Sequence, residues 1–586
     1  MMQNCCDDGD NNVVYKDVVI IGNGPSGICL SFMLAGNWPY YTGEPHPADE
    51  MLTARLHSSI RSGSDEEECC NTMSQQQQQQ QQQLENETRC YRWHENGTVR
   101  SRKCQGRSEG RGLASSTRCK LECLSSGLEG RIGGRPLALL MDQLQHPCVD
   151  AGLDVPSLLT WKSVDQHPEH KVIDHIVLGK GQPGGSWQTM DPNVLTISLN
   201  RWMSLPDLDV RQWEMMIESE QLFKTTSMED EPTYEKPSAC NKTASRISVG
   251  MVAAYYKDYV HRKRLEQYFR CGTIVTSVRP SCDTDACSQQ QQQGNGYEWI
   301  VDGFEKQTGK SFRYRCKRVV LATGTTDLSN QLGIPGEDFQ LDWITHDLNE
   351  LESKLDRLIN QQHANEIEER WQPIDPVLVI GSGLSAADAI MAARFRGIPV
   401  LHVFRDSSNE WNKSNDERIR TIYDKLQGLP SSMYPEYHKV YEMMADGGTN
   451  YPLYRALPGY TLLGFTANGV DFVDAAFERP SMITLADLDG CVHTFRVSAV
   501  AILIGYKPDL SYLKTNIGLG KYPDKPIDGK SNPIEVDDFT YEVTKSPRPG
   551  LYALGPLVGD NFVRYILGGA FAILVHILNT SSPSLT

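Results

Sequence analysis

Two stretches of the chain share one order of hydrophobic and polar positions. In each, a short run of apolar, mostly β-branched residues precedes a glycine-rich turn, an apolar helical pattern and a second apolar run. The two units open at residues 18–21 and at Val377–Ile380. Continuous apolar strands are typical of parallel sheets that are covered on both faces. The repeat therefore predicts a doubly wound α/β fold with two Rossmann-like dinucleotide-binding domains.

Apolar patterning also predicts the remaining elements. Residues 252–269 carry apolar positions at helical spacing. Apolar runs predict further strands at residues 273–278, 318–322, 400–404, 497–504 and 551–554. The longest apolar stretch, 568–578, is shorter than the roughly 18–20 residues that span a bilayer. It predicts a buried C-terminal helix and no transmembrane segment.

Two polar stretches interrupt this pattern. Residues 59–118 are rich in Ser, Glu, Gln and Arg and include nine consecutive glutamines at 75–83. Residues 281–295 contain five more glutamines between two strand-like runs. Such sequence buries too little apolar surface to offset the entropy of ordering it. Both stretches are therefore predicted to be disordered insertions.

Charge and cysteine content exclude several function classes. The formal net charge is −17, which argues against binding to nucleic acid or to an anionic membrane surface. The polar, acidic first dozen residues do not resemble a signal peptide. None of the 16 cysteines forms a C-x-x-C pair or completes a zinc motif. Reduced thiols, a cytoplasmic location and no metal site are expected.

The first glycine motif directly follows the apolar run at 18–21. A strand, a glycine turn and a helix in this order bind the pyrophosphate of a dinucleotide. The first glycine permits the tight turn, the second lets the backbone approach the ligand, and the helix N-terminus attracts phosphate. The predicted binding residues are Gly22, Gly24, Pro25, Ser26 and Gly27.

An acidic residue that binds the ribose hydroxyls is expected about 20 residues after such a motif. Glu44 is the candidate, 22 residues after Gly22. The surrounding segment contains two prolines and a glycine. An exposed loop charge is therefore the alternative interpretation of Glu44.

The second glycine motif follows the strand Val377–Ile380 and predicts a nicotinamide nucleotide site. The strand after it ends next to Arg405, where a 2′-phosphate would be paired, which favours NADPH over NADH. Asp406 is a competing signal, since an acid at this place favours NAD. The predicted binding residues are Gly381, Ser382, Gly383, Leu384, Ser385, Ala386 and Arg405.

Further motifs resemble those of the class B flavin monooxygenases, which bind two dinucleotides. Gly184-Gly185-Ser186-Trp187 is similar to the G-G-x-W of that family, and residues 194–199 follow it as in the N-hydroxylating branch. Ala322-Thr323-Gly324 resembles the A-T-G at a strand end, with Ile334-Pro335-Gly336 soon after. This resemblance implies FAD at the first motif and NADPH at the second.

The chain more specifically resembles the oxidative stress-induced growth inhibitor family. The segments that carry the resemblance are GNGPSGICLSFMLAG, VLGKGQPGGSW, VLVIGSGLSAADA, MYPEYHKVYEMM and ALGPLVGDNFVRYILGGA. It covers roughly residues 14–58 and 120–580, without the polyglutamine insertion. Membership implies a monooxygenase-like core and links to antioxidant signalling, restraint of growth and apoptosis.

This resemblance assigns further residues to the flavin. Gly184, Gly185 and Trp187 would lie against FAD, the alternative being a turn followed by a core tryptophan. A C-terminal strand end would deliver Asp560 to the flavin, the alternative being an ordinary helix-capping Asp. The predicted contacts in that segment are Gly555, Asp560 and Asn561.

The implied domain plan is an NADPH-binding domain inserted into a discontinuous FAD-binding domain. The FAD-binding domain is predicted at 14–371 and 495–580, and the NADPH-binding domain at 372–494. Tails are predicted at 1–13 and 581–586.

One part of the family pattern is missing. The F-x-G-x-x-x-H fingerprint of flavin monooxygenases has only a degraded equivalent, Phe339 to His346, with an extra residue and no glycine. His346 is thus a weak catalytic candidate, a packing or surface histidine being the preferred interpretation. No catalytic residue is predicted.

Three functions compete at this point. The preferred one is an NADPH-dependent FAD monooxygenase acting with O₂ on a small-molecule substrate, because the cofactor itself carries that chemistry. The second is a redox-sensing regulatory protein on the same scaffold, acting through protein partners. The third, a flavin disulfide reductase, is disfavoured because the redox C-x-x-C is missing.

Overall fold

The structure is a computed structural model of the 586-residue chain. It describes residues 13–61, 113–128, 134–225, 245–281, 299–337, 341–367, 373–405, 429–466, 481–514 and 518–581. Both glutamine runs, Phe339 and Asp406 lie outside the described residues.

Nineteen strands occur in the described ranges. In chain order they are β1 (Val13–Ile21), β2 (Trp38–Tyr41), β3 (Leu159–Lys162), β4 (His175–Gly179), β5 (Phe269–Cys271), β6 (Thr273–Pro280), β7 (Trp299–Glu305), β8 (Ser311–Leu321), β9 (Leu328–Ser329), β10 (Ile344–Thr345), β11 (Val377–Ile380), β12 (Val400–Phe404), β13 (Tyr454–Pro458), β14 (Thr461–Thr466), β15 (Met482–Ala486), β16 (Val492–Arg496), β17 (Ala499–Ile502), β18 (Tyr506–Lys507) and β19 (Leu551–Ala553).

The described helices are α1 (Pro25–Leu34), α2 (Glu50–Arg61), α3 (Arg118–Ser125), α4 (Pro136–Gln145), α5 (Val210–Thr225), α6 (Val249–Arg262), α7 (Leu348–Ile367), α8 (Leu384–Phe395), α9 (Pro435–Ala445) and α10 (Ile566–Ser581). The predicted strands Val377–Ile380 and Val400–Phe404 have the predicted bounds. The helix predicted at 252–269 ends earlier, at Arg262, and a short 3₁₀ turn and β5 follow it.

The first compact unit contains the described residues up to 188, from 195 to 324 and from 510 onward. Its main sheet has the order β5-β4-β1-β8-β7-β6, with β19 also paired to β8. Strands β5, β4, β1, β8 and β19 are parallel, and β7 and β6 continue the sheet antiparallel. The β1 residues 18–21 are almost fully buried, as their continuous apolar pattern predicted.

The C-terminal helix α10 packs against α1 and α4 in this unit. By length and composition alone, the window Val563–Thr580 could cross a membrane, but 72% of it is buried inside the molecule. Ala570, Phe571 and Ile573 belong to the core. The prediction of a buried helix is confirmed.

The second compact unit contains residues 189–194 and the described residues from 325 to 509. Its main sheet is fully parallel, in the order β10-β17-β11-β12-β13. A separate antiparallel sheet, β14-β15-β16, and the two-stranded pair β18-β9 complete it. The predicted α/β class with two Rossmann-like units, the first discontinuous in sequence, is thereby confirmed.

The sequence placed the boundaries of the second unit wrongly. The predicted limits were 372 and 494, whereas the compact unit runs from 325 to 509, with 189–194 added. The run at 497–504 had been assigned to the FAD-binding domain, but its strand β17 lies between β10 and β11 in the second sheet. Apolar patterning predicts a buried strand without saying which sheet receives it.

The predicted insertion at 59–118 is too long at both ends. Helix α2 continues to Arg61. On the other side, Ala114 is fully buried and Ser116 is 3% exposed. Ser116 also accepts a hydrogen bond from Asn579 of α10 at 3.3 Å. Folded structure therefore borders residues 62–112, which lie outside the described ranges, as do 1–12, 282–298 and 582–586.

Candidate functional site

In the turn between β1 and α1, the packing of the surrounding backbone requires glycine at two positions. Gly22 has φ +114°, and a Cβ there would lie 2.2 Å from the carbonyl oxygen of Ala322. A Cβ on Gly27 would lie 2.0 Å from the carbonyl oxygen of Gly22. Neither position accepts a side chain, because the neighbouring backbone already fills the space.

Gly24, the middle glycine of this turn, differs. It adopts φ −71° and ψ −177°, an extended conformation that any residue tolerates. The nearest atoms to a Cβ there, in Gly184 and Gly185, are both 4.0 Å away. Pro25 then begins α1, whose first N–H groups have no partner within the helix. The protein's own packing therefore gives no reason for a glycine at 24, whereas a phosphate approaching these N–H groups does.

The predicted Gly184-Gly185 pair lies directly against this turn. The Gly184 N–H donates to the carbonyl oxygen of Asn23 at 2.8 Å. A Cβ on Gly185 would lie 2.9 Å from the Cα of Gly24. Trp187 follows in a 3₁₀ turn and meets the ring of Tyr256 edge-on at 6.1 Å. Sequence segments 160 residues apart thus form one surface.

The C-terminal segment reaches the same turn. Gly555 has φ +71°, and a Cβ there would lie 2.3 Å from Oγ of Ser26 in the first turn of α1. The Asp560 N–H donates to the carbonyl oxygen of Gly555 at 3.2 Å. The predicted grouping of Gly555 and Asp560 with the first glycine motif is therefore present as a contact within the protein.

Asp560 is a buried carboxyl group with a raised pKa. It is 4% exposed, and its Oδ2 accepts a hydrogen bond from the Tyr541 hydroxyl at 2.8 Å. Burial raises the pKa of Asp560 to about 7, although Arg135 and the Tyr541 hydrogen bond oppose the shift. Neighbouring Asn561 is exposed and donates through Nδ2 to Gly529 at 2.9 Å. The Asn561 side chain is therefore already hydrogen-bonded to the backbone of this segment's neighbour, Gly529.

Two further residues lie at this site, Asn23 and Thr323 of the A-T-G motif, and neither is among the binding residues that the sequence predicted. The Oγ1 atom of Thr323 is buried without a hydrogen-bond partner among the described residues. The Thr323 backbone nitrogen lies 2.9 Å from where a Gly22 Cβ would be. Asn23, 3% exposed, donates through Nδ2 to Gly181 at 2.8 Å. A polar residue inside a glycine motif carries no sequence signal that would have singled out Asn23.

Glu44 stays a prediction. It follows β2, which pairs with β3 in a separate antiparallel sheet. The parallel neighbours of β1 are β8 and β4, and β4 ends at Gly179. Glu44 itself is exposed. At the end of β4 the Asn23 side chain occupies the space, since a Cβ on Gly179 would lie 2.1 Å from Asn23 Nδ2.

The second glycine motif repeats the geometry of the first between β11 and α8. Gly381 has φ +127°, and a Cβ there would lie 2.3 Å from the carbonyl oxygen of Leu503. Gly383 has φ −81° and ψ −177°, and a Cβ there would meet no atom within 4 Å. Ala386 is fully buried, and Leu384 is 38% exposed. Ser382 and Ser385 are partly exposed.

A buried histidine holds this second turn. His402 of β12 donates through Nε2 to the carbonyl oxygen of Gly381 at 2.6 Å. Because a carbonyl only accepts, Nδ1 is the unprotonated nitrogen and accepts from the Tyr454 hydroxyl at 2.8 Å. Burial lowers the pKa of His402 to about 4, against the opposing hydrogen bond to Gly381. The ring is therefore neutral at physiological pH.

Arg405 lies directly after β12 and is exposed. It forms no hydrogen bond or ion pair with the residues that the structure describes. Its role in selecting NADPH stays a prediction.

His346 has a structural partner. Its Nε2 lies 2.9 Å from Oε1 of Glu337, which is buried and also accepts from the backbone N–H groups of Leu332 and Gly333. Burial would raise the pKa of Glu337, but these hydrogen bonds outweigh it and lower the pKa. His346 therefore packs against a carboxylate, in agreement with the preferred interpretation from the sequence.

Among the described cysteines there is no disulfide; Cys29, Cys148 and Cys316 are buried, and Cys271 is half-buried. Desolvation raises the pKa of Cys271, although the hydrogen bond from Asn23 opposes it. A raised thiol pKa disfavours thiolate chemistry. Cys271 therefore gives no support to the flavin disulfide reductase alternative.

Comparison of folds returns flavoenzymes at low similarity. The structure of a bacillithiol disulfide reductase from Bacillus cereus matches with TM-score 0.45 and 13% identity, covering 97% of this chain and 100% of that chain. The structure of L-lysine 6-monooxygenase from Pseudomonas syringae matches with TM-score 0.43 and 13% identity, with the same coverage. No activity is carried over from either.

Comparison of sequences gives much stronger matches, although no family model matches the chain. Human oxidative stress-induced growth inhibitor 1 is 34% identical over 573 residues, covering 96% of this chain and 94% of that protein. Human oxidative stress-induced growth inhibitor 2 is 34% identical over 581 residues, covering 96% and 93%. A Caenorhabditis elegans homolog is 25% identical over 572 residues. The chain therefore belongs to the oxidative stress-induced growth inhibitor family.

Proposed function

We propose that this protein is an NADPH-dependent, FAD-containing oxidoreductase of the monooxygenase type, which acts in the cytoplasm in the response to oxidative stress. The observation that carries the proposal is the pair Gly24 and Gly383. Both are glycines whose backbone conformation and packing would accept a side chain. In both motifs the middle glycine thus leaves the helix N-terminus free of side-chain atoms. This is the place where the protein backbone is expected to approach the pyrophosphate of a dinucleotide.

The first site fits FAD. The Gly22 turn, the Gly184-Gly185 pair and Gly555 surround the N-terminus of α1, and a Cβ at any of these four positions would collide with neighbouring atoms. The Thr323 hydroxyl is a buried hydrogen-bonding group without a partner among the described residues. Unpaired buried polar groups are costly, so a polar ligand that pairs with Thr323 would be stabilised there.

The second site fits NADPH. His402 fixes the carbonyl of Gly381 and so orients the turn in front of α8. The N-terminus of α8 would face the pyrophosphate, and Arg405 would pair with the 2′-phosphate. Exposed Gly383 and Leu384 leave this turn open for a nucleotide that binds and leaves.

The chain's own residues would bind and orient the two cofactors and shield them from water. None of these residues is assigned as a catalytic base. FAD held at the first site would supply the redox chemistry between NADPH and O₂. The N-terminus of α1 would hold the pyrophosphate, and the buried Asp560 carboxyl would hydrogen-bond a flavin hydroxyl or ring atom. No step is assigned to His346, because Glu337 holds it in the packing of the chain.

The physiological part of the proposal comes from the names of the relatives. The two human relatives are named for growth inhibition induced by oxidative stress. An enzyme that consumes NADPH and O₂ would link redox state to restraint of growth and to apoptosis. A small-molecule substrate and regulatory protein partners are part of this proposal.

Anaerobic mixing of the flavin-loaded protein with NADPH tests the enzyme proposal. The visible flavin absorbance should fall, and it should recover when O₂ is admitted. We expect hydrogen peroxide to form when no substrate is present, because the degraded F-x-G-x-x-x-H pattern affects the control of oxygen chemistry.

The outcomes separate the competing functions. If NADPH binds but never reduces the flavin, the enzyme proposal fails and the redox-sensing regulator takes its place. If reduction occurs and all consumed oxygen is released as hydrogen peroxide with every candidate substrate, the protein is an NADPH oxidase.

A further inference from the structure

A group of two histidines and one glutamate lies between β3 and β4, in the segment His167-Pro168-Glu169-His170. Each of the three residues offers one donor atom, and these atoms lie within 4.8 Å of one another. We propose that His167, Glu169 and His170 bind a zinc ion. The proposal is independent of both nucleotide sites and extends the sequence analysis, which expected no metal.

The hydrogen bonds of His170 leave its Nε2 atom able to bind a metal. Its Nδ1 lies 2.9 Å from the carbonyl oxygen of Gly36, which only accepts, so Nδ1 carries the proton. Nε2 therefore has a lone pair, which accepts from the Tyr40 hydroxyl at 2.8 Å, and a metal would bind there in place of this hydrogen bond. A histidine that donates through one nitrogen to a backbone carbonyl is the usual arrangement of a zinc ligand.

The same contacts orient the ring firmly. His170 is 4% exposed and stacks on Trp38 with ring centroids 4.2 Å apart. The His167 ring stacks on His170 at 5.3 Å with an interplanar angle of 17°. The His170 ring is therefore fixed, whereas the partly exposed His167 and the exposed Glu169 can adjust to bring the donor atoms, now within 4.8 Å, to the spacing that one ion requires.

The remaining two ligands are paired with each other. Nδ1 of His167 lies 2.8 Å from Oε1 of Glu169. Two atoms at this separation can share one ion with metal–ligand distances of about 2.0–2.2 Å, the ion replacing the proton between them. Glu169 is exposed and His167 partly exposed, so an ion can enter from solvent.

The donor set selects the metal. Two imidazole nitrogens and one carboxylate oxygen suit Zn²⁺, whereas Ca²⁺ and Mg²⁺ prefer an all-oxygen shell. Three protein ligands leave a fourth position, which water or the Tyr40 hydroxyl can take. The bound ion would join the segment between β3 and β4 to Tyr40 of β2 and so stabilise this layer of the first unit.

Zinc binding is measured on tag-free, full-length protein that has been stripped with a chelator and titrated with Zn²⁺ against a colorimetric indicator. His167→Gln and Glu169→Gln each change a solvent-accessible side chain and should preserve the fold. We expect each to lose one zinc equivalent per chain, or to weaken that equivalent by at least about 10-fold. Zinc should raise the unfolding temperature of the wild type but not of either variant.

His261→Gln is the matched control. His261 also pairs with a glutamate, with Nδ1 2.5 Å from Oε1 of Glu266, but no second histidine joins that pair in the described structure. Its zinc stoichiometry should equal that of the wild type. The proposal is overturned if the wild type takes up no zinc, or if His167→Gln and Glu169→Gln retain the wild-type stoichiometry and affinity.

Discussion

The two glycine motifs share a backbone plan but differ in what surrounds them. In the first, Asn23 and Ser26 are buried, and Gly185 and Gly555 press on the turn from distant parts of the chain. In the second, Gly383 and Leu384 are exposed. In the second turn Gly381 packs against Leu503, which follows β17, and its carbonyl oxygen accepts a hydrogen bond from His402 of β12. Both contacts come from the sheet to which the turn belongs.

This difference matches two kinds of ligand. A group enclosed by several chain segments dissociates slowly, because those segments must separate before it leaves. A nucleotide that must exchange in every catalytic cycle needs an open site. We therefore expect FAD to be retained through purification at the first motif and NADPH to exchange freely at the second.

The largest effect is expected from Gly24→Val. The backbone conformation there suits any residue and a Cβ would have no neighbour closer than 4.0 Å, so the variant should fold, but the side chain would stand where the pyrophosphate approaches. The purified variant should contain no flavin, as measured by its visible absorbance. Full flavin content would show that the first motif is not the FAD site.

Gly22→Ala is the contrasting control. Its Cβ would lie 2.2 Å from the Ala322 carbonyl oxygen at a φ of +114°, so it should damage folding as well as flavin binding. Circular dichroism and thermal unfolding distinguish the two variants.

Gly383→Val should remove reduction by NADPH and leave flavin content unchanged. No atom lies within 4 Å of its Cβ position, so the fold should tolerate the side chain. Anaerobic reduction kinetics together with the flavin absorbance give both quantities. Loss of flavin in this variant would contradict the assignment of separate ligands to the two motifs.

Asp560→Asn should change how stability depends on pH. The folded-state pKa of Asp560 is about 7, raised from 3.8 by burial. The unfolded state therefore loses its proton first as pH rises, and the wild type loses stability between about pH 4 and pH 7. Asparagine stays neutral and can accept from Tyr541.

Relative to the wild type, Asp560→Asn should gain on the order of 2–4 kcal/mol between pH 4 and pH 8. Thermal unfolding at both pH values measures this difference, with retained flavin quantified in the same samples. A difference that is constant with pH would show that Asp560 is ionised in the folded protein at low pH.

Arg405→Ala should weaken NADPH binding by about 10- to 100-fold, since a charge-assisted phosphate contact contributes about 1.5–3 kcal/mol. NADH binding should change little. Arg394→Ala, in the last turn of α8 and away from the glycine turn, is the control and should affect neither nucleotide. Equal weakening of both nucleotides by Arg405→Ala would contradict the role of Arg405 in selectivity.

The smallest effect is expected from deleting residues 62–112 and joining the ends with a short flexible linker. Closing a shorter loop changes stability by only about 1–2 kcal/mol, so flavin content and unfolding should stay close to wild type. The longer deletion 59–118 removes buried Ala114 and Ser116 and should be clearly destabilised. Loss of flavin in the shorter deletion would show that the segment contributes to the first site.

Local patterning predicted the parts of this molecule that depend on neighbours in sequence. The strands β11 and β12 and both glycine turns follow from apolar runs and glycine spacing. The strands beside β1 could not be predicted, because β4 and β8 come from more than 150 residues further along the chain, whereas β2, the next strand, pairs with β3. The 497–504 run failed for the same reason, since the choice between two sheets depends on long-range packing.

The roles of Thr323, Asn23 and His402 could not be predicted, for a different reason. Their importance comes from a single hydrogen bond, or its absence, at a place fixed only after folding. Gly555 and Asp560 were found only because a family resemblance pointed to them.

The first site combines residues 22–27, 184–187 and 322–323 with residues 555–560, and β19 and α10 belong to the same unit. During synthesis, therefore, the ribosome must add Gly555 before the final piece of the first site exists. Flavin loading should follow synthesis of this segment, and a product truncated before residue 551 should accumulate without flavin. Flavin content would thus report whether translation has passed this one glycine.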